Sequence, residues 1–503
     1  MSDPDRTADR PATFREVLAS GEYRAVYAAS VLSWFGDYLA RAAVTAMVFR
    51  QTGSVTASAA TFAISYLPWL GIGPVLTALA ERYPYRRVMV GCDLARMGLM
   101  SLVALPNIPV PAMMLLLFAT ALLNPPFDAA RSALLPRILD GDRYVVGLAL
   151  NISSFQFAQI IGYLAGGTLG AINPRLAIAL NAGSFGLSAF LVGLGVRDRS
   201  PAVRRENGTH LLRETAAGFR MVFGNRVLRA IGIIVFVTLP FVVVPEALAA
   251  AWATRLTRSA DNRGLVQGLI MMAYPAGFVI GGLVINRLMA PSTRRRLIRP
   301  LAVLAPLVLV PALADPPAWV IVAMCTVCGF TIAGMLPAAN GLFVQAIPDG
   351  FRARAFGVMQ TGIMLVQAIA VFATGALADR FELPTVVGVW SLLGVSLVVL
   401  VSLAWPTTPQ IDDATEVART AGAGSAALTP ARPPARPAAA PRHAAAAHAS
   451  GAAPVMDGKA HPIRPPGAHR RTVPDGRMVS DDRTTETKPG SEGGSSHLSP
   501  AKA

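Results

Sequence analysis

A series of apolar runs, each about as long as a membrane-crossing helix, constrains the fold of this chain more than any other feature. Two of these runs, Ala57–Leu79 and Val88–Leu105, flank a short turn that contains Arg82, Arg86 and Arg87. An α-helix needs about 20 predominantly apolar residues to cross a bilayer. Only 15% of the residues are charged, against about 25% in ordinary soluble proteins. The sequence therefore predicts an all-α polytopic membrane protein.

The positions of the basic residues predict an orientation in the membrane. The formal net charge is +16, and the arginines concentrate in alternate turns between spans. Arginine-rich loops stay in the cytoplasm, so we expect roughly twelve spans in the inner (plasma) membrane and two cytoplasmic termini. The turn after the seventh span, with Arg255, Arg258 and Arg263, departs from this rule. This distribution favours anionic lipid headgroups, and not nucleic acid, as the partner of the positive charge.

Composition divides the chain into five predicted segments. Apolar residues at helical spacing indicate an amphipathic helix in the basic stretch at mid-chain. The C-terminal stretch is rich in Ala, Pro, Gly and Ser and has too few apolar residues to form a core, so we expect it to be disordered. The segments are residues 1–23 (cytoplasmic N-terminal segment), 24–196 (N-terminal six-helix half), 197–229 (basic cytoplasmic linker with the amphipathic helix), 230–405 (C-terminal six-helix half) and 406–503 (disordered cytoplasmic tail).

The second half of the membrane region repeats features of the first. The second span ends in Glu81-Arg82 and the eighth in Asn286-Arg287, and further arginines follow each pair. Matching positions also recur in the fourth and tenth spans: Pro125 and Pro337, Asp128 and Asn340, Pro136 and Pro348. Such a repeat indicates a duplicated unit, here six spans in the same orientation.

The turn after the second span resembles a motif of the major facilitator superfamily, Gly-x-Leu-Ala-Asp-Arg-x-Gly-Arg-Arg. Leu79, Ala80, Arg82 and Arg86 match the motif, and Glu81 stands in the place of its Asp. The resemblance implies twelve transmembrane helices in two pseudo-symmetric halves. It also implies a small-molecule substrate held between the halves near the bilayer midplane.

Three further stretches are similar to the drug and siderophore exporters of that superfamily. They are Ala130–Pro136, Leu148–Asn151 and Gly162–Gly167. The last corresponds to the Gly-Pro-x-x-Gly-Gly element associated with antiporters, with Tyr163 in the place of the proline. Small residues at this spacing allow two helices to approach closely. The resemblance implies an exporter.

The first span contains two opposite charges, Asp37 and Arg41. An ionised side chain at the bilayer centre costs about 2.5–3.5 kcal/mol, so each needs a partner or a water-filled cavity. Four residues apart on a helix, the two lie about 6 Å apart along the axis and can reach each other. We interpret them as a proton-coupling or substrate-contacting pair; a fixed salt bridge that only orients the helix is the alternative.

The seventh span contains one carboxylate, Glu246, after Pro240 and Pro245. The seventh span is the symmetry mate of the first, and the resemblance implies that both line the central cavity. A carboxylate there is suited to carrying protons or to contacting a cationic substrate. The alternative is a position near the outer surface, where water would solvate it.

Charged residues at the cytoplasmic ends of spans two, three and four correspond, by the same resemblance, to a charge cluster that locks the inner gate. Ordinary interfacial charges are the alternative. The predicted cluster consists of Glu81, Arg82, Arg86, Asp93, Arg96, Asp128 and Arg131. Polar residues inside the spans could line the cavity or hold helices together. Those predicted as lining are Asn151, Gln156, Gln159 and Gln360.

These features predict a secondary transporter that exports a small, moderately lipophilic compound in exchange for protons. No phosphate-binding loop with its lysine is present in the sequence, and no cofactor, metal site or enzymatic activity is expected. We expect a monomer. Two alternatives stay open: an importer or facilitator of similar fold, and a membrane scaffold or sensor that presents its tail without transporting anything.

Overall fold

The computed structural model describes residues 12–70, 72–80, 82–199, 211–348 and 351–427, in which every regular element is a helix. The first half contains α1 (Phe14–Ala19), α2 (Gly21–Thr52), α3 (Val55–Ala63), α4 (Ile72–Ala80), α5 (Tyr85–Val103), α6 (Val110–Leu122), α7 (Asn124–Ile138), α8 (Asp142–Ile172) and α9 (Pro174–Gly195). The remainder contains α10 (Leu211–Gly224), α11 (Arg226–Val242), α12 (Val244–Ala247), α13 (Ala249–Leu256), α14 (Ala260–Leu288), α15 (Pro291–Leu307), α16 (Ala318–Gln345), α17 (Arg352–Ala378), α18 (Leu383–Leu403) and α19 (Thr408–Ala427). The all-α prediction is confirmed.

Nine helical segments in the described part of the chain are long and apolar enough to cross a membrane. They begin with the α6–α7 segment and coincide with the predicted fourth to twelfth spans. The first three predicted spans are also helical, but α2 and α5 carry internal charges and the second span is interrupted between α3 and α4. A short 3-10 helix, Leu67–Leu70, lies in that interruption.

Proline interrupts the seventh predicted span. Pro240 lies in the last turn of α11, and Pro245 lies in the first turn of α12. A proline lacks the backbone N–H and cannot continue the hydrogen-bond ladder of the preceding helix. The span therefore consists of α11, the one-turn α12 and α13. Broken helices of this kind are typical of substrate and ion sites in transporters.

The helix ends form two faces of the bundle. We call one the basic face: there Arg86 donates to the carbonyl of Gly193, and Arg295 Nη2 donates to Gln345 Oε1 over 2.7 Å. On the other, the opposite face, Arg50 Nη2 donates to the carbonyl of Gly170 over 2.8 Å. Each of these contacts joins helices of one half, so the ends of each half are braced independently.

The closest approaches between the two halves lie toward the opposite face. There α8 crosses α14, and a Cβ on Gly167 would lie 2.5 Å from the carbonyl oxygen of Gly264 and 2.6 Å from the nitrogen of Gly268. On the other side of the bundle α17 crosses α3, where a Cβ on Gly375 would lie 2.7 Å from the Cβ of Ala59. Only glycine permits backbones to pack so closely. The halves are therefore closed together on this face.

The end of the membrane region differs from the prediction. The sequence predicts disorder from residue 406 onward, but residues 408–427 form α19. Ile411 and Ala414 pack against the large core cluster together with Trp405, so apolar contacts hold this segment against the bundle. That prediction is wrong for α19, and residues 428–503 lie outside the described residues. Helix α10 lies within the predicted linker.

Candidate proton and substrate site between the halves

Glu246 lies on the one-turn helix α12 and is buried, with 8% of its surface exposed. Its carboxylate accepts a hydrogen bond from the hydroxyl of Tyr163, which lies on α8 in the other half. Tyr163 is completely buried. The predicted alternative, a solvated carboxylate near the surface, does not fit this burial. The contact joins the two halves through one titratable group.

Arg41 lies beside this contact. Its guanidinium carbon is 5.2 Å from the ring centroid of Tyr38 and 5.3 Å from that of Phe62. Tyr38 in turn packs edge-on against Tyr163, with ring centroids 4.9 Å apart. Cation–π contacts stabilise a desolvated guanidinium by about 2 kcal/mol or more. Aromatic rings therefore take the place that a carboxylate takes in an ordinary buried ion pair.

Asp37 and Arg41 do not form the salt bridge that their spacing allows. Among the described residues, the guanidinium of Arg41 has neither a hydrogen bond nor an ion pair. Asp37 lies beside the side chain of Asn181 on α9 instead, and both residues line the same cavity. Arg41 nevertheless interacts electrostatically with both Asp37 and Glu246, although Asp37 interacts more strongly with Arg96 than with Arg41. One cation is thus shared by a carboxylate from each half, and neither carboxylate holds it in a direct pair.

Two cavities extend from this group of residues. The larger, with about 590 Å³ of empty space open at one side, lies within the N-terminal half. Its polar lining consists of Asp37, Arg41, Thr61, Ser65, Thr120, Asn124 and Asn181. The smaller is a narrow crevice with no room for a water molecule; it lies within the C-terminal half and is lined by Glu246, Tyr274 and two buried cysteines among others. Asp37 and Glu246 therefore face different cavities, with Arg41 and the tyrosines between them.

The predicted polar lining residues do not contribute to either of these cavities. Asn151 is buried, Gln156 and Gln159 are partly buried, and Gln360 is exposed. A different glutamine, Gln267 on α14, holds the halves together. Its Nε2 donates to the carbonyl of Ala42 over 2.8 Å and to Thr45 Oγ1 over 3.2 Å.

The predicted gate residues separate into three groups. Asp93 and Arg96 form a buried ion pair of 3.3 Å inside the N-terminal half, where Ser188 Oγ donates to Asp93 over 2.6 Å. Arg96 also donates to the carbonyl of Leu123, at the break between α6 and α7. This pair packs within one half and not between the halves. It therefore braces α5 against α7 and α9 in this conformation.

The remaining gate residues lie nearer the surface. Asp128 and Arg131 form a pair of 3.1 Å, and the guanidinium of Arg131 lies 4.9 Å from the ring of Trp34. Arg82 is exposed, Arg86 donates to Gly193 as described above, and Glu81 lies outside the described residues. Their predicted gating role stays a prediction.

Sequence reasoning did not assign a role to Tyr163. In the glycine-rich element Tyr163 stands in the place of a proline. An aromatic hydroxyl inside an apolar span is itself unusual because it needs a buried partner. That requirement could have indicated a polar contact with another helix. The structure supplies the partner, Glu246.

Comparison with known proteins agrees with this architecture. Residues 26–361 and 241–447 match the Major Facilitator Superfamily. The chain belongs to this family. Its members are multi-pass membrane transporters, so the predicted family and transport class are confirmed.

Two kinds of relatives are similar to this transporter. Macrolide efflux protein A of Streptococcus pyogenes is 20% identical over 412 residues, which are 78% of this chain and 96% of the relative. Among solved structures, the nucleoside transporter NupG superposes with a TM-score of 0.61 at 12% identity and covers 76% of this chain and 98% of its own. A bacterial homologue of the iron transporter ferroportin, in an inward-facing state, superposes with a TM-score of 0.56 at 13% identity. The match covers 80% of this chain and 100% of that structure. At these identities the solved structures show the shared fold alone.

Proposed function

We propose that this transporter exports a small, moderately lipophilic compound by alternating access, driven by the inward flow of protons. The contact between Tyr163 and Glu246 supports this proposal most directly, because it places a titratable carboxyl group at the junction of the two halves. Asp37, Arg41 and Glu246 form the coupling group. The bound compound would occupy the larger cavity, which Asp37 and Arg41 line.

The coupling follows from the charge balance of the group. Arg41 carries one positive charge and interacts with two carboxylates, one in each half; Asp37 also interacts with Arg96, whereas Glu246 depends on Arg41. In a low-dielectric site the attraction between unit charges is several times stronger than in water. A proton on Glu246 removes its attraction for Arg41 and leaves the cation to Asp37. Proton binding thereby weakens the electrostatic link between the halves and favours their rearrangement.

Export is the direction we favour because the similar protein from Streptococcus pyogenes is named as a macrolide efflux protein. The solved structures of similar fold include a nucleoside transporter and a peptide transporter, so import is the alternative within the same class. Direction is therefore an outcome of the test and not a premise of it.

Purified transporter in liposomes tests the proposal. A radiolabelled macrolide and a lipophilic cationic dye are offered with and without an imposed proton gradient. We expect gradient-dependent movement against the direction of proton flow, reduced at least about tenfold in Glu246→Gln, which corresponds to about 1.4 kcal/mol. Glu382→Gln, at an exposed carboxylate on the opposite face, is the matched control and should retain movement.

The outcomes separate the alternatives. Movement with the proton flow indicates an importer. Movement of equal size in the unmodified protein and in Glu246→Gln contradicts coupling through this residue. If neither compound moves under any gradient, and the tail binds a cytoplasmic protein, a scaffold is favoured.

A further inference from the structure

Asp379 lies one residue beyond α17, on the opposite face of the bundle, and contacts the start of α3 in the other half. Its carboxylate accepts hydrogen bonds from the backbone N–H of Val55 over 2.6 Å, from that of Thr56 over 3.1 Å and from the hydroxyl of Ser54 over 2.8 Å. The first N–H groups of a helix have no partner within the helix. Here a carboxylate from a different half of the molecule supplies two of these partners.

The start of α3 is thereby capped by two residues in turn. The side chain of Ser54 caps its own helix and accepts from the N–H of Ala57 over 3.1 Å. Asp379 satisfies the two N–H groups that Ser54 leaves. A negative charge at this end is also favoured by the helix dipole. Because Asp379 acts from outside the helix, this part of the cap lasts only while the two halves are together.

Neighbouring charges do not explain the position of Asp379. Among the described residues it has no salt bridge. Two arginines of the opposite face have other partners: Arg255 pairs with Asp315 and Glu382, and Arg50 donates to the backbone at the end of α8. The adjacent Arg380 forms no ion pair in the part of the chain that the structure describes. The start of α3 is therefore the binding partner of this carboxylate.

The pKa of Asp379 agrees with this geometry. Partial burial acts to raise the pKa, but the hydrogen bonds from Thr56, Ser54 and Val55 outweigh it and hold the pKa below the ordinary value. The carboxylate is consequently ionised, and accepts these bonds, throughout the neutral range.

The crossing at Gly375, four residues earlier on α17, makes the contact dependent on the state of the transporter. The backbone of α17 there lies against Thr56 and Ala59 of α3. Any rotation that opens the opposite face must separate these helices. The N–H groups of α3 then lose the carboxylate and are left to water.

We propose that Asp379 helps to hold the opposite face closed, by capping α3 across the two halves, and that release of this cap accompanies opening on that face. The proposal is independent of the transported compound and of proton coupling through Glu246. It therefore requires neither a substrate nor a gradient in its test.

Distances between spin labels measure the opening directly. In full-length protein in lipid nanodiscs, Gln51→Cys and Ser259→Cys place labels at exposed positions on the opposite face, one in each half. Tyr83→Cys and Thr293→Cys, also exposed, form the reporter pair at the basic face. The native cysteines are buried. Double electron–electron resonance then reports the population in which each face is open.

We expect Asp379→Ala to increase the open population of the opposite face about fivefold, the effect of a lost helix cap of typical strength. The distance at the basic face should shorten in the same proportion of molecules. Asp379→Asn retains one acceptor oxygen and should give a smaller increase. Asp315→Ala is the matched control, because this exposed carboxylate of the same face pairs with Arg255 inside one half.

Two results would overturn the proposal. One is an unchanged distance distribution in a folded Asp379→Ala protein, or in Asp379→Asn if the alanine variant does not fold. The other is an equal shift in Asp315→Ala, which would mean that any loss of negative charge on this face opens it.

Discussion

Replacing Tyr163 by Phe removes only the hydroxyl that joins α8 to Glu246 and leaves the ring in place. The ring packs against Tyr38, so this substitution isolates the hydrogen bond from the packing. Tyr23→Phe is a matched control. Tyr23 is also completely buried, but its hydroxyl donates over 2.9 Å to the carbonyl of Gly147, a neutral acceptor in the same half.

The difference between the two acceptors sets the expected magnitudes. A hydrogen bond between neutral groups contributes about 0.5–1.5 kcal/mol, and one to a charged group about 1.5–3 kcal/mol. Tyr163→Phe should therefore lower the free energy of unfolding by about 2 kcal/mol and Tyr23→Phe by about 1 kcal/mol. Couplings between polar side chains of membrane helices average about 0.6 kcal/mol with a maximum near 1.7. For the pair Tyr163 and Glu246 we expect about 1.5 kcal/mol, because the acceptor is a buried carboxylate.

The assay is a double-mutant cycle of Tyr163→Phe and Glu246→Gln. Unfolding by dodecyl sulfate in mixed micelles, followed by circular dichroism, gives the free energies. Tyr163→Phe should lose most of its effect when Glu246 is already Gln, whereas Tyr23→Phe should have the same effect in both backgrounds. A coupling energy below about 0.5 kcal/mol, within the error of additivity, would refute the view that Glu246 is held by this hydroxyl.

Three further predictions follow from the packing and the charges. Asp93→Ala should lower the free energy of unfolding by about 3–5 kcal/mol, because it leaves Arg96 buried without its counter-ion, whereas Asp198→Ala, at an exposed pair with Arg87, should cost under about 1 kcal/mol in the same assay. Gly167→Ala should separate α8 from α14 and increase the open population of the opposite face by spin-label distances; Gly183→Ala, where a Cβ meets nothing within 4 Å, should not, and equal effects would contradict the close-packing explanation. Because the pKa of Asp379 is lowered, its stabilising contribution is present above the ordinary pKa of an Asp and is lost as pH falls through the lowered value. Closure of the opposite face should therefore be constant from pH 8 to 5 and weaken only below about pH 4. Opening of this face between pH 7 and 5 would contradict this prediction.

Apolar runs were sufficient to predict the all-α fold, and the resemblance of the turn after the second span predicted the family. Local spacing could not predict partners across the bundle. A spacing of four residues places Asp37 and Arg41 on one side of a helix. Their actual neighbours, Asn181 beside Asp37 and the ring of Tyr38 beside Arg41, depend on packing that this spacing does not specify. For the same reason the spacing of Asp93 and Arg96 predicted neither their burial nor the contact of Asp93 with Ser188, and their gating role stays a prediction.

The remaining differences have similar causes. Composition indicated disorder after residue 406 because it averages over the whole tail, whereas the first turns contain the few apolar residues that pack on the core. The contact of Asp379 with the start of α3 joins residues more than 300 positions apart. No sequence periodicity relates two such positions, and only the crossing of α17 and α3 reveals the contact.

If Glu246 couples protons to movement of the halves, a gradient of the transported compound should by itself drive protons across the membrane. Liposomes containing the transporter and a lumenal pH-sensitive dye receive a macrolide gradient and no initial pH difference. We expect a proton flux opposite to the macrolide flux in the unmodified protein, and macrolide flux without proton flux in Glu246→Gln. Equal proton flux in both proteins, or macrolide movement without any proton flux in the unmodified protein, would contradict it.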